Sequence, residues 1–306
     1  MNKKNLISLG ILIVLVIVYI FIKSNENTEK RVRFFQVDST EIAQVVLQNA
    51  EDTLKIAKQE GTWQIIEPLE YPAAENMTKA LFESVLTVET SKTPIAESKA
   101  SHAKLNVTDS LGTLVSFWDD QNNQLQAAYV GRNANYNYAN ARNKGENKVY
   151  QLLQNITYNI RPSLYSWRSK TVLNIPQEQI SQIEVAGKEL NYQLTASDSL
   201  WIYSSGKQSF GVQEQNSALK AILNGVSKVR ATNFVDNNYQ EYAEKFKNPQ
   251  FAVKIHTYEG SQHVLSFIPY QENKYLMQKD DLEKHLFVES SSVAKIFQKT
   301  AEDYKK

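Results

Sequence analysis

The 306-residue chain carries 34 basic and 33 acidic side chains, a net charge of +1, and no cysteine. That balance argues against the broad basic face that phosphate-backbone binding needs, and 42% hydrophobic against 22% charged residues is too apolar for a disordered chain. Without Cys there is no disulfide framework, thiolate nucleophile or Cys-ligated zinc, and 10 glycines, about half the ~7% average usage, leave little material for glycine-rich phosphate loops.

The first element is apolar. Leu6 to Ile22 reads LISLGILIVLVIVYIFI without a charge, and as a helix it would run about 26 Å, enough to span a bilayer core. No small-residue cleavage site follows it and the absence of Cys removes a lipobox, so the segment reads as an uncleaved anchor, with residues 1–30 forming anchor and polar linker. Lys3 and Lys4 precede the segment while Lys23, Lys30, Arg31 and Arg33 follow it, so charge counting does not fix the orientation. A long domain after a short N-terminal anchor is expected outside the cytoplasm, which places the chain as a single-pass protein of the cell inner membrane with its globular part on the periplasmic side.

Beyond the anchor the sequence matches itself. A displacement of 138 positions pairs Ile42 with Ile180, Val45 with Ile183, Leu47 with Val185, Leu54 with Tyr192, Ile56 with Leu194 and Trp63 with Trp201. The same displacement pairs Ala80 with Ala218, Leu81 with Leu219, Val85 with Leu223 and Val88 with Val226, and reduced by one it pairs Val149-Tyr150 with Leu286-Phe287. Two modules follow, 31–171 and 172–306.

In module one, Val45 to Leu47, Leu54 to Ala57 and Trp63 to Ile66 read as short strands, with Glu60-Gly61 a turn. Met77, Leu81, Val85 and Val88 recur at helical spacing, which predicts a helix from Glu75 to Val88. Strands are expected at Thr113 to Trp118, Gln124 to Val130, Tyr136 to Ala141 and Lys148 to Leu152, then a short helix to Ile160. Module two repeats the order: Ile180 to Val185, Leu190 to Leu194, Trp201 to Tyr203, a helix Gln213 to Val229, a hairpin Phe251 to Ile268, strands Lys274 to Gln278 and His285 to Val288, and a helix Val293 to Tyr304. The predicted fold class is α+β, an N-terminal transmembrane helix followed by two tandem modules of antiparallel strands with a packed helix each.

The order of elements, with Gly61-Thr62-Trp63, the junction Arg168-Ser169-Lys170-Thr171-Val172-Leu173, the strand Ile180-Ser181-Gln182-Ile183-Glu184-Val185 and Val149-Tyr150, resembles a bacterial family catalogued as domain of unknown function 4340. The resemblance implies a membrane-tethered extracytoplasmic protein, often encoded beside ABC-2-type transporters of the gliding-motility kind. It brings no catalytic residues. Module two has Ser199-Leu200 where module one has Gly61-Thr62.

Candidate sites are few. His256 and His263 flank Glu259-Gly260, and a two-residue turn there would set the imidazoles opposite each other; with no further ligand indicated and Lys254 on the same face, no metal site is expected. Asp281 and His285 form a possible acid-base pair, but the surrounding Asp280-Asp281-Leu282-Glu283-Lys284 reads as a solvated turn and no G-x-S-x-G elbow completes a triad. Asp119-Asp120 reads as a hairpin tip. The stretch Gly131 to Lys148 is the best ligand or partner surface, through Arg132, Tyr136, Tyr138 and Arg142, the two tyrosines sharing a strand face. The reading is a non-enzymatic accessory or binding protein without cofactor, partnered by the membrane through Leu6 to Ile22 and by a membrane protein, which the resemblance implies to be an ABC-type transporter. An anchored envelope hydrolase using the Asp281/His285 region and a purely structural spacer are the alternatives.

Overall fold

The computed structural model describes residues 12–20, 31–236, 239–282 and 284–305. The predicted anchor therefore lies partly outside the described residues; its described part, 12–20, is helical with exposed side chains. No helix among the described residues is long and apolar enough to cross a membrane. The rest is mixed α+β with two large antiparallel sheets, in two compact units that meet in sequence between Ser169 and Lys170.

The first unit contains β1 (Arg31–Arg33), β2 (Gln44–Gln48), β3 (Thr53–Gln59), β4 (Thr62–Glu67), β5 (Tyr71–Pro72), β6 (Glu89–Ser91), β7 (Thr113–Trp118), β8 (Gln124–Arg132), β9 (Ala139–Asn143) and β10 (Tyr150–Leu152), in the spatial order β1-β6-β10-β9-β8-β7-β2-β3-β4-β5. Alternation puts Val45, Leu47, Leu54, Ile56, Ile65, Val115 and Phe117 on one face, fully buried. Met77, Leu81 and Val85 close over that face from a helix Glu75–Ala80 that continues as a π-helical turn Leu81–Val85. The chain leaves this helix before Val88, earlier than the apolar spacing predicts.

The second unit contains β11 (Thr171–Asn174), β12 (Ile180–Gly187), β13 (Asn191–Ala196), β14 (Trp201–Ser205), β15 (Gln208–Val212), β16 (Lys228–Arg230), β17 (Asn233–Val235), β18 (Phe251–Thr257), β19 (Gln262–Pro269), β20 (Lys274–Lys279) and β21 (Leu286–Ser290). β11 and β16 form a small ribbon; the large sheet runs β17-β21-β20-β19-β18-β12-β13-β14-β15. From β10 through β5 in the first unit and from β21 through β15 in the second, the strands follow one order. Registers agree as well: Val45 stands opposite Phe117 and Ile56, and Ile183 opposite Ile255 and Leu194. A β-bulge in β8 explains why the spacing then falls from 138 to 137. Between Phe117 and Trp118 the partner skips from Gln126 to Gln124, an extra residue that the β18–β19 ladder lacks.

At the spacing of 137, Ile160 corresponds to Phe297 and Trp167 to Tyr304, all four buried. Arg168 stands 4.5 Å over the Tyr71 ring and Lys305 5.6 Å over the Phe210 ring, so the cation after the closing aromatic is matched too.

The helices correct the sequence alignment. Buried and exposed positions of 77–90 recur in 218–231 at a spacing of 141, which pairs Lys79-Ala80-Leu81-Phe82 with Lys220-Ala221-Ile222-Leu223, and Val85 with Val226. The spacing of 138 misplaces this helix by three residues, about five-sixths of a turn, so both alignments keep apolar residues on one face. The helix itself is Ser217–Ser227, shorter than expected, because Asn216 caps it at one end and β16 takes over at the other. The expected helix up to Ile160 is a turn, followed instead by a helix Leu164–Trp167. The final helix is two, Ser291–Phe297 and Ala301–Lys305. A helix Tyr239–Phe246 was not expected, its hydrophobic residues being mostly aromatic. It covers the other face of the second sheet, where Phe246 meets Ile268, Leu276, Leu286 and Val288.

Asn216 ties the second unit together. Its Oδ1 accepts from the Ala218 and Leu219 amides at 2.9 Å, and its Nδ2 donates to the Asp303 and Tyr304 carbonyls at 3.1 and 3.2 Å. One buried amide thus caps a helix and holds the last helix against it. Asn216→Ala is expected to lower the unfolding free energy by on the order of 2–3 kcal/mol in urea titrations, and Asn216→Asp, which keeps the cap, by less. Equal midpoints for wild type and the alanine variant would contradict this role.

Candidate functional site

The stretch expected to bind is built differently from its reading as a strand. β8 ends at Arg132 and β9 begins only at Ala139, so Tyr136 and Tyr138 sit in the connecting turn and share no strand face. The asparagines decide this. Asn133 and Asn135 accept from the amides of Asn135 and Asn137 through their Oδ1 atoms, giving two successive Asx turns, while Asn133 Nδ2 donates to Asn140 Oδ1 at 2.7 Å. Asn155 Nδ2 donates to the Tyr136 carbonyl at 2.8 Å. The turn is thereby fixed with the Tyr136 ring 87% exposed.

Arg142 is occupied. Its Nε and Nη2 donate to the Val107 carbonyl at 3.0 and 2.9 Å, Nη1 donates to the Glu146 carbonyl at 3.0 Å, and the guanidinium lies 4.7 Å over the Tyr129 ring. It clamps loops and does not face the other candidates. Arg132 instead lines a cleft of about 510 Å³ with Arg161, Tyr158, Leu111, Asn106, Ser110, Thr157 and Glu51. Neither the Arg132 nor the Arg161 guanidinium has an acceptor among the described residues. Leu111 and Tyr158 are 56% and 69% exposed. Arg161, Tyr158 and Leu111 escaped sequence reading because they come from connections with no period.

The backbone beneath is tight. Asn106 is left-handed at φ 58°, its Nδ2 donates to the Arg132 carbonyl at 3.1 Å, and a Cβ on Gly131 would lie 1.9 Å from the Asn106 carbonyl oxygen. Only glycine fits there. A glycine inside the β8 pattern was the available signal for this close approach.

The remaining candidates are placed as follows. The β18–β19 connection is a three-residue turn, Tyr258 to Gly260, with Thr257 bonded to Ser261 and Gly260 at φ 87°. His263 therefore stands opposite Ile255, and His256 opposite Gln262. One residue of register puts the two imidazoles on opposite faces, which corrects the expected facing pair. His256 Nε2 lies 3.3 Å from Glu184 Oε1, with Lys254 Nζ 3.7 Å from the other oxygen. Asp281 pairs with the buried Lys279, and Asp280 accepts from the Val264 amide at 3.1 Å. Asp119 accepts from the Gln121 and Asn123 amides and from the Asn123 side chain, and these bonds hold its carboxyl below the usual range. No group of three or more His, Cys, Asp or Glu among the described residues is placed to hold a metal ion.

One further titratable group went unnoticed in the sequence. Glu289 in β21 is 1% exposed, its Oε1 has no hydrogen-bond partner among the described residues, and burial raises its pKa to about 7. Within a strand reading LFVES, nothing marks it as inward-facing until the register is known. The folded chain keeps this proton through a pH range where the unfolded chain, with an ordinary carboxyl at 4.5, has lost it. Stability is expected to fall as pH rises from 4.5 to 7, by about 3 kcal/mol at most. In Glu289→Gln that decline should vanish, read from urea midpoints at pH 4.5 and 7.5; parallel pH profiles for the two proteins would refute it.

A family model described as domain of unknown function, DUF4340, matches residues 63–249, more than half of the chain. Searches of curated proteins and of solved structures find no match.

Proposed function

Because the chain belongs to the DUF4340 family, whose description names no activity, we propose from its own features that it is a membrane-tethered binding or accessory protein. The tether is the uncharged segment Leu6 to Ile22, and the two globular units, related by tandem duplication, lie on the extracytoplasmic side of the cell inner membrane. The partner is a membrane protein, an ABC-type export or motility-related complex in the reading that the resemblance suggests.

The observation that carries the binding role is the cleft of Arg132 and Arg161. Two guanidiniums without acceptors among the described residues, beside exposed Tyr158 and Leu111, form the combination of arginine, tyrosine and apolar surface enriched at protein interfaces. The tight packing of Gly131 on Asn106 and the Asn106 bond to the Arg132 carbonyl hold one wall of it at little ordering cost. An anchored hydrolase working through Asp281 and His285 is disfavoured by the engagement of Asp281 with Lys279.

Two measurements test the proposal. Protease added to intact spheroplasts should digest the globular part, and protection until lysis would reverse the orientation. In pull-downs from detergent-solubilised membranes, Arg132→Glu with Arg161→Glu should reduce recovery of a co-purifying membrane partner about tenfold or more with thermal stability unchanged, because exposed, unpaired arginines contribute little to folding. Undiminished recovery would remove the cleft from the binding role.

A further inference from the structure

The two units differ in what surrounds an equivalent tryptophan. In the first, the Phe82 ring lies 5.4 Å from the Trp63 indole. In the second, the corresponding tryptophan is Trp201, placed by the same ladder that pairs Lys58 with Trp63 and Ala196 with Trp201. The helix position matching Phe82 is Leu223, and beside Trp201 there is an open cleft of about 450 Å³.

The groups around this opening are suited to a ligand that both donates and accepts. Trp201 is 9% exposed, and its indole N–H has no acceptor among the described residues. The Trp118 and Trp167 indoles, by contrast, donate to Ser116 Oγ at 3.2 Å and to the Arg161 carbonyl at 3.0 Å. Tyr258, 67% exposed, stands at the same cleft. Lys220, Glu178 and Glu214 also line it, and none of them forms an ion pair among the described residues. Its counterpart Lys79 lies 3.8 Å from Glu83, whose own counterpart is Asn224, so the second unit has lost the acid that would neutralise Lys220 along the helix.

We propose that this cleft of the second unit binds a neutral saccharide of one or two rings. The face of the exposed Tyr258 ring can take the apolar C–H face of a pyranose, and carboxylates, an ammonium and an indole N–H together serve a row of hydroxyls that each donate and accept. A simple anion would meet two glutamates and a simple cation the Lys220 ammonium, so neither matches the whole lining. The cleft is open to solvent and has few stacking faces, so binding near ~1 mM is expected.

The test uses the full-length protein, isotopically labelled in detergent, with chitobiose and cellobiose as probes and sorbitol as an acyclic control. The Trp201 indole N–H resonance, identified by its absence in Trp201→Phe, should shift saturably with a disaccharide and not with sorbitol. Leu223→Phe, which places a ring in the lining of the cleft, should weaken binding at least tenfold while leaving the thermal midpoint unchanged. Should Trp201→Phe fail to fold, Leu223→Phe still identifies the resonance, as the indole signal whose response to disaccharide is lost. No saturable indole shift with either disaccharide, or equal binding by Leu223→Phe, would overturn the proposal.

Discussion

The pairing of β2 with β7, and of β12 with β18, is the constraint from which the rest of each unit follows. These central ladders set Val45 against Phe117 and Ile183 against Ile255, all fully buried. Strand side chains alternate with a period of two, so choosing these pairs fixes which face of every neighbouring strand is apolar. The helix, the closing aromatic and the cation after it then have only one face to cover. A slip of one residue would send Leu47 and Val185 into water along with their whole rows.

Built on the same frame, the two units spend their freedom in different places. The first has a bulge in β8 and a glycine pressed against left-handed Asn106, which together shape the end of the strand that carries Arg132. The second has a regular β18–β19 ladder but inserts the helix Tyr239–Phe246 across its other sheet face. Covering both faces makes β21 buried along most of its length and traps Glu289 without a partner for Oε1. A buried carboxyl of this kind is kept neutral by its surroundings at a cost to stability as the pH rises from 4.5 to 7, a cost the first unit does not carry at the matching position, Leu152.

Much of this was legible in the sequence because apolar alternation reports burial directly. Val45, Leu54, Trp63 and Thr113 to Trp118 lie in strands where the pattern puts them, and the spacing of 138 holds where β2 pairs with β3 and β7, and β12 with β13 and β18. Misreadings occurred where several conformations satisfy the same pattern. Met77, Leu81, Val85 and Val88 fit a helix, yet three residues of slip preserve the apolar face, so the helical correspondence needed the observed burial to resolve. Tyr136 and Tyr138 alternate as in a strand, but the side-chain amides of Asn133 and Asn135 capture the backbone first. Of the four surface residues singled out in sequence, Arg132 alone lines the cleft; Arg142 is bound to two carbonyls through contacts 35 and 4 residues away, which no local pattern reports.

The distribution of polar groups bears on what kind of protein this is. Four of the acids have separate structural duties: Asp119 closes a turn, Asp280 and Asp281 attend Lys279, and Glu289 is buried in a strand. Groups without internal partners lie elsewhere, as the guanidiniums of Arg132 and Arg161 in one unit and the indole N–H of Trp201 with the Lys220 ammonium in the other. Each such group is solvated while free and gains only when a complementary acceptor displaces that water. Arg132 at the end of β8, Trp201 at the start of β14 and Lys220 on its helix are held in place before any contact, which lowers the entropy that the proposed binding would cost.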